Sequence, residues 1–445
     1  MPDTILRSLR VVTPSGVHPS AIHVTGGRID RIADHEDIPS DGTLHDFGND
    51  VIMAGVVDSH VHINEPGRTD WEGFRTATRA AAAGGITMVV DMPLNSIPPT
   101  TNVQNLEAKL VAMEGKCSVD VGLWGGAVPG NSIDLRPLLE AGVLGFKCFL
   151  IDSGVPEFPH LDERGLQLAL ETLRDTGAPL LVHAELPGPI ESANPGGGLR
   201  SYNRFLQSRP AQSEVEAVRL VSEMCEKTGS RAHIVHLSAA DALGELRRAR
   251  ERGLPLSAET TAHYLHFAAE SIPDGATQYK CAPPIREGSN RERLWEALEE
   301  GLIELVVSDH SPCTPELKNL ESGDFPSAWG GIASTQFLLP AVWTDAQARG
   351  IGLPSLARWL CEGPAHLAGI GDRKGRIAAG LDADFVIWSP ESTFVVDAEI
   401  IQHRHKVTPY LGEELRGVVR ETWLRGAAVF GRSASGPPRG MWVRR

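Results

Sequence analysis

The chain has 445 residues with 42 basic and 57 acidic side chains, a net charge of −15, and 41% hydrophobic and 22% charged residues. This globular balance excludes a disordered chain, and the acidic excess disfavours nucleic acid or an anionic membrane as partner. No run of about 18 apolar residues predicts a membrane span, and MPDTILRSLRVVTP lacks the apolar core of a secretory signal.

Ile5–Val12, Ala21–Val24 and Ile29–Ile32 read as short strands punctuated by Gly and Pro. Asp384–Trp388, Phe394–Val396 and Val418–Val429 read the same way, so one small β domain assembled from both termini is expected. Its expected limits are 1–54 plus 375–445, around a central domain of 55–374.

That centre alternates. Eight apolar, β-branched runs occur at Val51–His62, Ile86–Met92, Asp120–Val128, Val143–Leu150, Pro179–Glu185, Arg231–Ser238, Leu254–Thr261 and Ile303–Asp309. Helical patterns such as Asp70–Ala83, Asn102–Glu114, Asp162–Thr176, Ser213–Thr228 and Ala239–Arg252 lie between them, and Ser213 with Glu216 has the form of a capping box. Alternation of this kind predicts an α/β fold, and eight strands close a TIM (β/α)8 barrel, here with a small β-sandwich domain. Gly196-Gly197-Gly198 reads as a loop, since no Lys-Ser/Thr follows to make a phosphate loop.

The candidate polar residues fall at the C-terminal ends of these runs, the catalytic face of a barrel. His60 and His62 are two apart on a strand and project to one side, either as hydrogen-bonded histidines or as a metal pair. Lys147 sits in the apolar run GFKCFL. It either snorkels, pairs with a carboxylate, or is neutral and able to take up carbon dioxide as an anionic carbamate. His183, His236 and Asp309 end three further runs. His233 points away from His236, which is nearer the strand end. Together His60, His62, Lys147, His183, His236 and Asp309 offer nitrogen and oxygen donors suited to zinc, iron, manganese or cobalt. The six cysteines are scattered with no C-x-x-C pair, fitting a reducing cytoplasm and a site without thiolates. His263 and His266 are expected as partners behind the ligands, Cys148 as packing, and His310, His403 and His405 as structural.

These residues match the pattern of the amidohydrolase superfamily, and over essentially its full length the chain resembles the cyclic amidohydrolases. Within that group, HVHINEPGRTDWEG (60–73), DMPLNSIPPT (91–100), GFKCFLIDSGVPEFP (145–159), KCAPPIR (280–286) and SDHSPCTPELK (308–318) are most similar to allantoinases. The resemblance implies two divalent ions, zinc foremost, bridged by carboxylated Lys147. His60 and His62 would hold the buried ion, His183 and His236 the exposed one, and Asp309 would ligate and move the proton. It further implies allantoin as substrate, hydrolysed to allantoate in purine nitrogen use, and a homotetramer. Dihydroorotases differ at two positions: where they carry a substrate-holding Arg this chain has Asn64, and where they have an Asn it has Ala282. Both changes argue against a carboxylate-bearing ring. Asn64, Asn95, Cys281, Ala282 and Gly331 are the candidate substrate contacts. Hydantoinase or dihydropyrimidinase activity, dihydroorotase activity and a non-catalytic scaffold of the same fold are the alternatives.

Overall fold

The computed structural model describes residues 3–40 and 42–445. The strands in chain order are β1 (Thr4–Thr13), β2 (Gly16–Thr25), β3 (Arg28–Asp34), β4 (Thr43–Asp46), β5 (Val51–Ala54), β6 (Val56–Val61), β7 (Ile86–Asp91), β8 (Asp120–Leu123), β9 (Gly125–Gly126), β10 (Phe146–Phe149), β11 (Leu180–His183), β12 (Ala232–Ile234), β13 (Leu256–Thr261), β14 (Leu305–Val307), β15 (Phe385–Val395), β16 (Glu414–Leu424) and β17 (Ala427–Gly431).

The first five and last three strands form one eight-stranded sheet, in the order β17-β16-β15-β5-β1-β2-β3 with β4 also on β1. β5 joins the two ends of the chain, pairing with β1 and β15. The tail departs from the expected pattern in two ways. Asp384–Trp388 and Phe394–Val396 fall on one long strand, and Val418–Val429 is a hairpin that turns at Arg425-Gly426.

The remaining strands run parallel, β6-β7-β8 and β9 through β14, and β8 and β9 are two halves of one barrel position. The ring closes where His62 N donates to His310 O at 2.7 Å and Val61 bridges His310. Buried Asp58 reinforces that seam from β6, accepting from Ser308 N at 3.1 Å, from Ser308 Oγ and from Thr335 Oγ1 at 3.0 Å. The first predicted run splits between the two sheets. Val51–Ala54 serves the terminal sheet and Val56–Val61 the barrel. The break falls at Gly55, whose N–H donates to Asp384 O and where a Cβ would lie 2.2 Å from Thr87 Oγ1.

Helices lie at Phe74–Ala83, Val103–Met113, Glu163–Leu173, Gln212–Thr228 and Leu243–Glu251. Three more of ten or more residues, Ser132–Ala141, Gly288–Glu299 and Leu338–Ala348, and five shorter α-helices among the described residues had no pattern assigned to them. The capping box is not formed. The N-cap is Ala211, and Ser213, already inside the helix, donates from Oγ to Leu186 O at 2.7 Å. Glu216 instead accepts from Gln212 Nε2 at 2.9 Å.

A buried ion cluster ties the terminal sheet to the barrel. Lys374 Nζ lies 2.9 Å from Asp120, 3.3 Å from Asp382, and against Asp384, while Arg425 also pairs with Asp120. The three carboxylates are close enough to hold a metal, but the Lys374 ammonium sits among them, with Arg425 on Asp120 and Arg373 on Asp382. Removing one partner of a buried cluster strands the others, so Lys374→Met is expected to cost about 3–5 kcal/mol. Equilibrium denaturation against wild type measures this loss.

Candidate metal centre and active site

A cavity of about 530 Å³ opens over the C-terminal ends of the barrel strands, lined by His62, Lys147, His183, His236 and Asp309 among others. His60 lies beneath it, with no exposed surface. Alternation along β6 brings the His60 and His62 rings together, with centroids 5.5 Å apart. Lys147 points inward from β10 and His183 ends β11. His236 and Asp309 lie just past β12 and β14 with left-handed φ of 38° and 46°. Such backbone costs a non-glycine residue about 1–3 kcal/mol and persists only where its surroundings enforce it. At His236, Glu259 Oε1 accepts the backbone N–H at 3.3 Å.

The imidazoles form two adjoining groups. One nitrogen or oxygen atom from each of His60, His62 and Asp309 lies within 4.8 Å of the other two. His60 Nε2 is 3.2 Å and His62 Nε2 3.7 Å from Asp309 Oδ1. His183 Nδ1 faces His236 Nε2 at 3.0 Å, and the His236 ring centroid is 5.3 Å from that of His60. Burial, followed by the Lys147 ammonium, holds His60 and His62 well below the usual histidine range. His236 is also held well below it, by burial and by His183; burial lowers His183 against the pull of Glu185. Neutral imidazole is the form that ligates metal.

Lys147 is fully buried and its Nζ has no hydrogen-bond partner among the described residues. Burial lowers its pKa, against the opposing pull of Asp309 and Glu259, while burial raises that of Asp309. His60 Nε2 and His236 Nδ1 are likewise without a hydrogen bond. Buried polar atoms are rarely left unpaired. The orphaned Lys147 amine and His60 Nε2, set among His62, His183, His236 and Asp309, fit a pair of divalent cations bound by nitrogen and oxygen.

The expected histidine backing is replaced by carboxylates. His266 pairs with Asp345 at 2.6 Å, and His263 packs edge-on against Tyr264. Glu259 instead accepts from His60 Nδ1 at 2.6 Å and His233 Nε2 at 3.1 Å, and Glu185 bonds His183 Nε2 at 2.8 Å. Arg209 grips Glu185 with two hydrogen bonds, at 3.0 and 2.6 Å. The sequence carried a signal for both residues. Glu259 is a carboxylate within a predicted barrel strand, and Glu185 stands two residues after His183. Cys148 is core packing, as expected.

Among the candidate substrate contacts, Asn95, Cys281, Ala282 and Gly331 line the cavity. Asn64 does not: it is buried and its Nδ2 donates to Pro312 O at 3.2 Å. Asn95 adopts left-handed backbone, φ 72°, and its Nδ2 lies 3.3 Å from His62 Nδ1.

Comparison with known proteins agrees with this geometry. The chain is 48% identical over 444 residues to an allantoinase of Streptomyces avermitilis, covering 100% of this chain and 99% of that one. It is 49% identical over 392 residues to an allantoinase of Saccharomyces cerevisiae, covering 87% and 84%. The solved L-hydantoinase (dihydropyrimidinase) of Arthrobacter aurescens superposes with a TM-score of 0.93 at 30% identity, over 100% of both chains. Residues 51–429, which hold every side chain of the cavity floor, match the Amidohydrolase family, and with a TIM barrel that brings four imidazoles, an unpartnered buried lysine and an aspartate together, the chain belongs to that family and is a cyclic amidohydrolase.

Proposed function

We propose that this chain opens the hydantoin ring of allantoin by hydrolysis, giving allantoate. The observation that carries the reading is the unpartnered amine of Lys147 among neutral imidazoles and Asp309 on the cavity floor. A buried, uncharged amine is nucleophilic enough to add carbon dioxide, forming an N–C bond and releasing one proton from the nitrogen to solvent, and the carbamate would turn an orphan into a two-oxygen anion. His60, His62 and Asp309 would then hold one ion, His183 and His236 the other, with carboxylated Lys147 between them. When bound, such ions polarise a ring carbonyl and lower the pKa of water.

The protein side chains supply the rest. Asp309 accepts the proton that water gives up and delivers it to the ring nitrogen as the C–N bond breaks. Burial raises its pKa, which suits it to hold that proton between the two events. Asn95 and the backbone near Cys281, Ala282 and Gly331 orient the ring and its ureido arm. Glu259 and Glu185 fix which nitrogen of His60 and His183 faces the ions. Glu259→Gln is therefore expected to weaken metal binding by about 10–100-fold, measured by competition with a chelator.

The same reading takes zinc as the resident metal, a homotetramer, a cytoplasmic location, and a small domain of 1–54 with 375–445 around a catalytic domain of 55–374. The substrate choice rests on relatives named allantoinase at 48% and 49% identity, against 30% for the hydantoinase. Initial rates of metal-loaded protein on allantoin, dihydroorotate and hydantoin test it. Fast opening of allantoin alone is expected. Preference for dihydroorotate or hydantoin would overturn the substrate, and silence on all three with full metal content would overturn the activity.

A further inference from the structure

Lys318 ends the turn Pro315–Lys318 and is 3% exposed. Its Nζ donates to three backbone carbonyls: Trp329 O at 3.0 Å, Lys280 O at 3.3 Å, and Gly331 O. No carboxylate among the described residues forms an ion pair with it, and the nearby buried thiols of Cys313 and Cys281 are kept protonated, and so uncharged, by their own burial. Burial draws its pKa down to about 8. An unpaired buried ammonium is costly, and a hydroxyl or amide could brace a loop at less expense. The charge therefore needs its own account.

The three carbonyls supply one. Segments 280–282 and 329–331 are pressed into one wall of the cavity. Gly331 N donates to Lys280 O at 2.8 Å, and a Cβ on Gly331 would lie 2.3 Å from Ser311 O. In a trans peptide the C=O and the following N–H point in opposite directions. With the carbonyls of Lys280 and Trp329 turned to the ammonium, the N–H groups of Cys281 and Gly330 point away from it. Both residues line the cavity, and neither N–H donates to an acceptor among the described residues. A cation on the carbonyl also polarises its peptide and strengthens the N–H as a donor.

We propose that Lys318 is a positioning residue whose buried ammonium orients and polarises the Cys281 and Gly330 peptides as donors to a carbonyl oxygen of the bound cyclic ureide. This rests on the ring-opening reading above. Among the described residues neither Lys318 nor the Cys281 and Gly330 peptides hydrogen-bond a metal-holding side chain, so its loss should register in substrate affinity.

Lys318→Gln keeps N–H donors without the charge, and Lys318→Met removes both. Metal-loaded proteins are compared for kcat and KM on whichever ring the wild type opens fastest, with metal content and thermal midpoint alongside. The expected result is a KM raised about 10-fold in Lys318→Gln and further in Lys318→Met, with kcat and metal content near wild type. Lys318→Arg, which keeps the charge, should recover part of that affinity. A folded Lys318→Gln protein with wild-type KM overturns the proposal. So does a parallel loss of kcat and metal, which a general structural role would produce. If Lys318→Met does not fold, Lys318→Gln decides. If the wild type opens none of the rings, the ring-opening reading fails by itself. Calorimetric binding of hydantoin to wild type and Lys318→Gln then decides: about 10-fold weaker binding supports the role and equal binding overturns it.

Discussion

Metal-loaded Asp309→Asn protein is expected to fold and to open allantoin at least about 100-fold more slowly than wild type, the scale of a lost general base. Asparagine suits this test for two reasons. Asp309 sits at a φ of 46°, a conformation that Asn tolerates nearly as well as Asp. The amide also preserves the oxygen that lies 3.2 Å from His60 and 3.7 Å from His62. What it loses is the ability to take up a proton. Turnover by stopped assay, read beside metal content, separates the two roles. Near-normal turnover would remove Asp309 from proton transfer, and a loss of metal with the rate would make it chiefly a ligand.

Lys147→Ala should lose metal and activity together, the rate falling by more than about 100-fold, since an inner ligand matters more than the outer partners whose loss costs 10–100-fold. The lysine is fully buried, so truncation leaves a polar-walled hole where the amine stood. A short carboxylic acid such as acetate can enter that hole and offer two oxygens in place of the carbamate. Partial recovery of metal and rate with added acid is expected, rising with acid concentration to saturation. A variant that kept both metals and full activity would show that Lys147 bridges nothing. Loss without any rescue would leave the lysine a packing element of β10.

Most of the barrel was legible in the chain because its signals are local. Buried parallel strands must be apolar and β-branched, and eight such runs alternate with helical patterns. The site histidines were legible for the same reason: alternation on β6 sends His60 and His62 to one side, and strand ends mark the catalytic face. A lysine inside GFKCFL conflicts with its surroundings, and that conflict is visible without coordinates.

What lay beyond the sequence depends on contacts between residues distant in the chain. The run Val51–His62 reads as one strand, and only the crossing of Thr87 at Gly55 and the pairing of Val51–Ala54 with β15 divide it between two sheets. Ser213 and Glu216 have the form of a cap, but Leu186 claims the serine hydroxyl. His263 and His266 follow a barrel strand as a second set of ligand partners would, yet Glu259, 199 residues from His60, takes that place. Asn64 stands beside His60 and His62 in sequence and turns instead to Pro312, 248 residues away. The sequence by itself determined the eightfold alternation of the barrel, the six polar side chains His60, His62, Lys147, His183, His236 and Asp309, and the face on which they gather, because period and polarity are properties of short segments. Only the tertiary structure decided that Glu259 backs His60, which asparagine reaches the cavity and where Lys318 spends its charge, because each hydrogen bond there joins separate segments that only the folded barrel brings within 3 Å or so of one another.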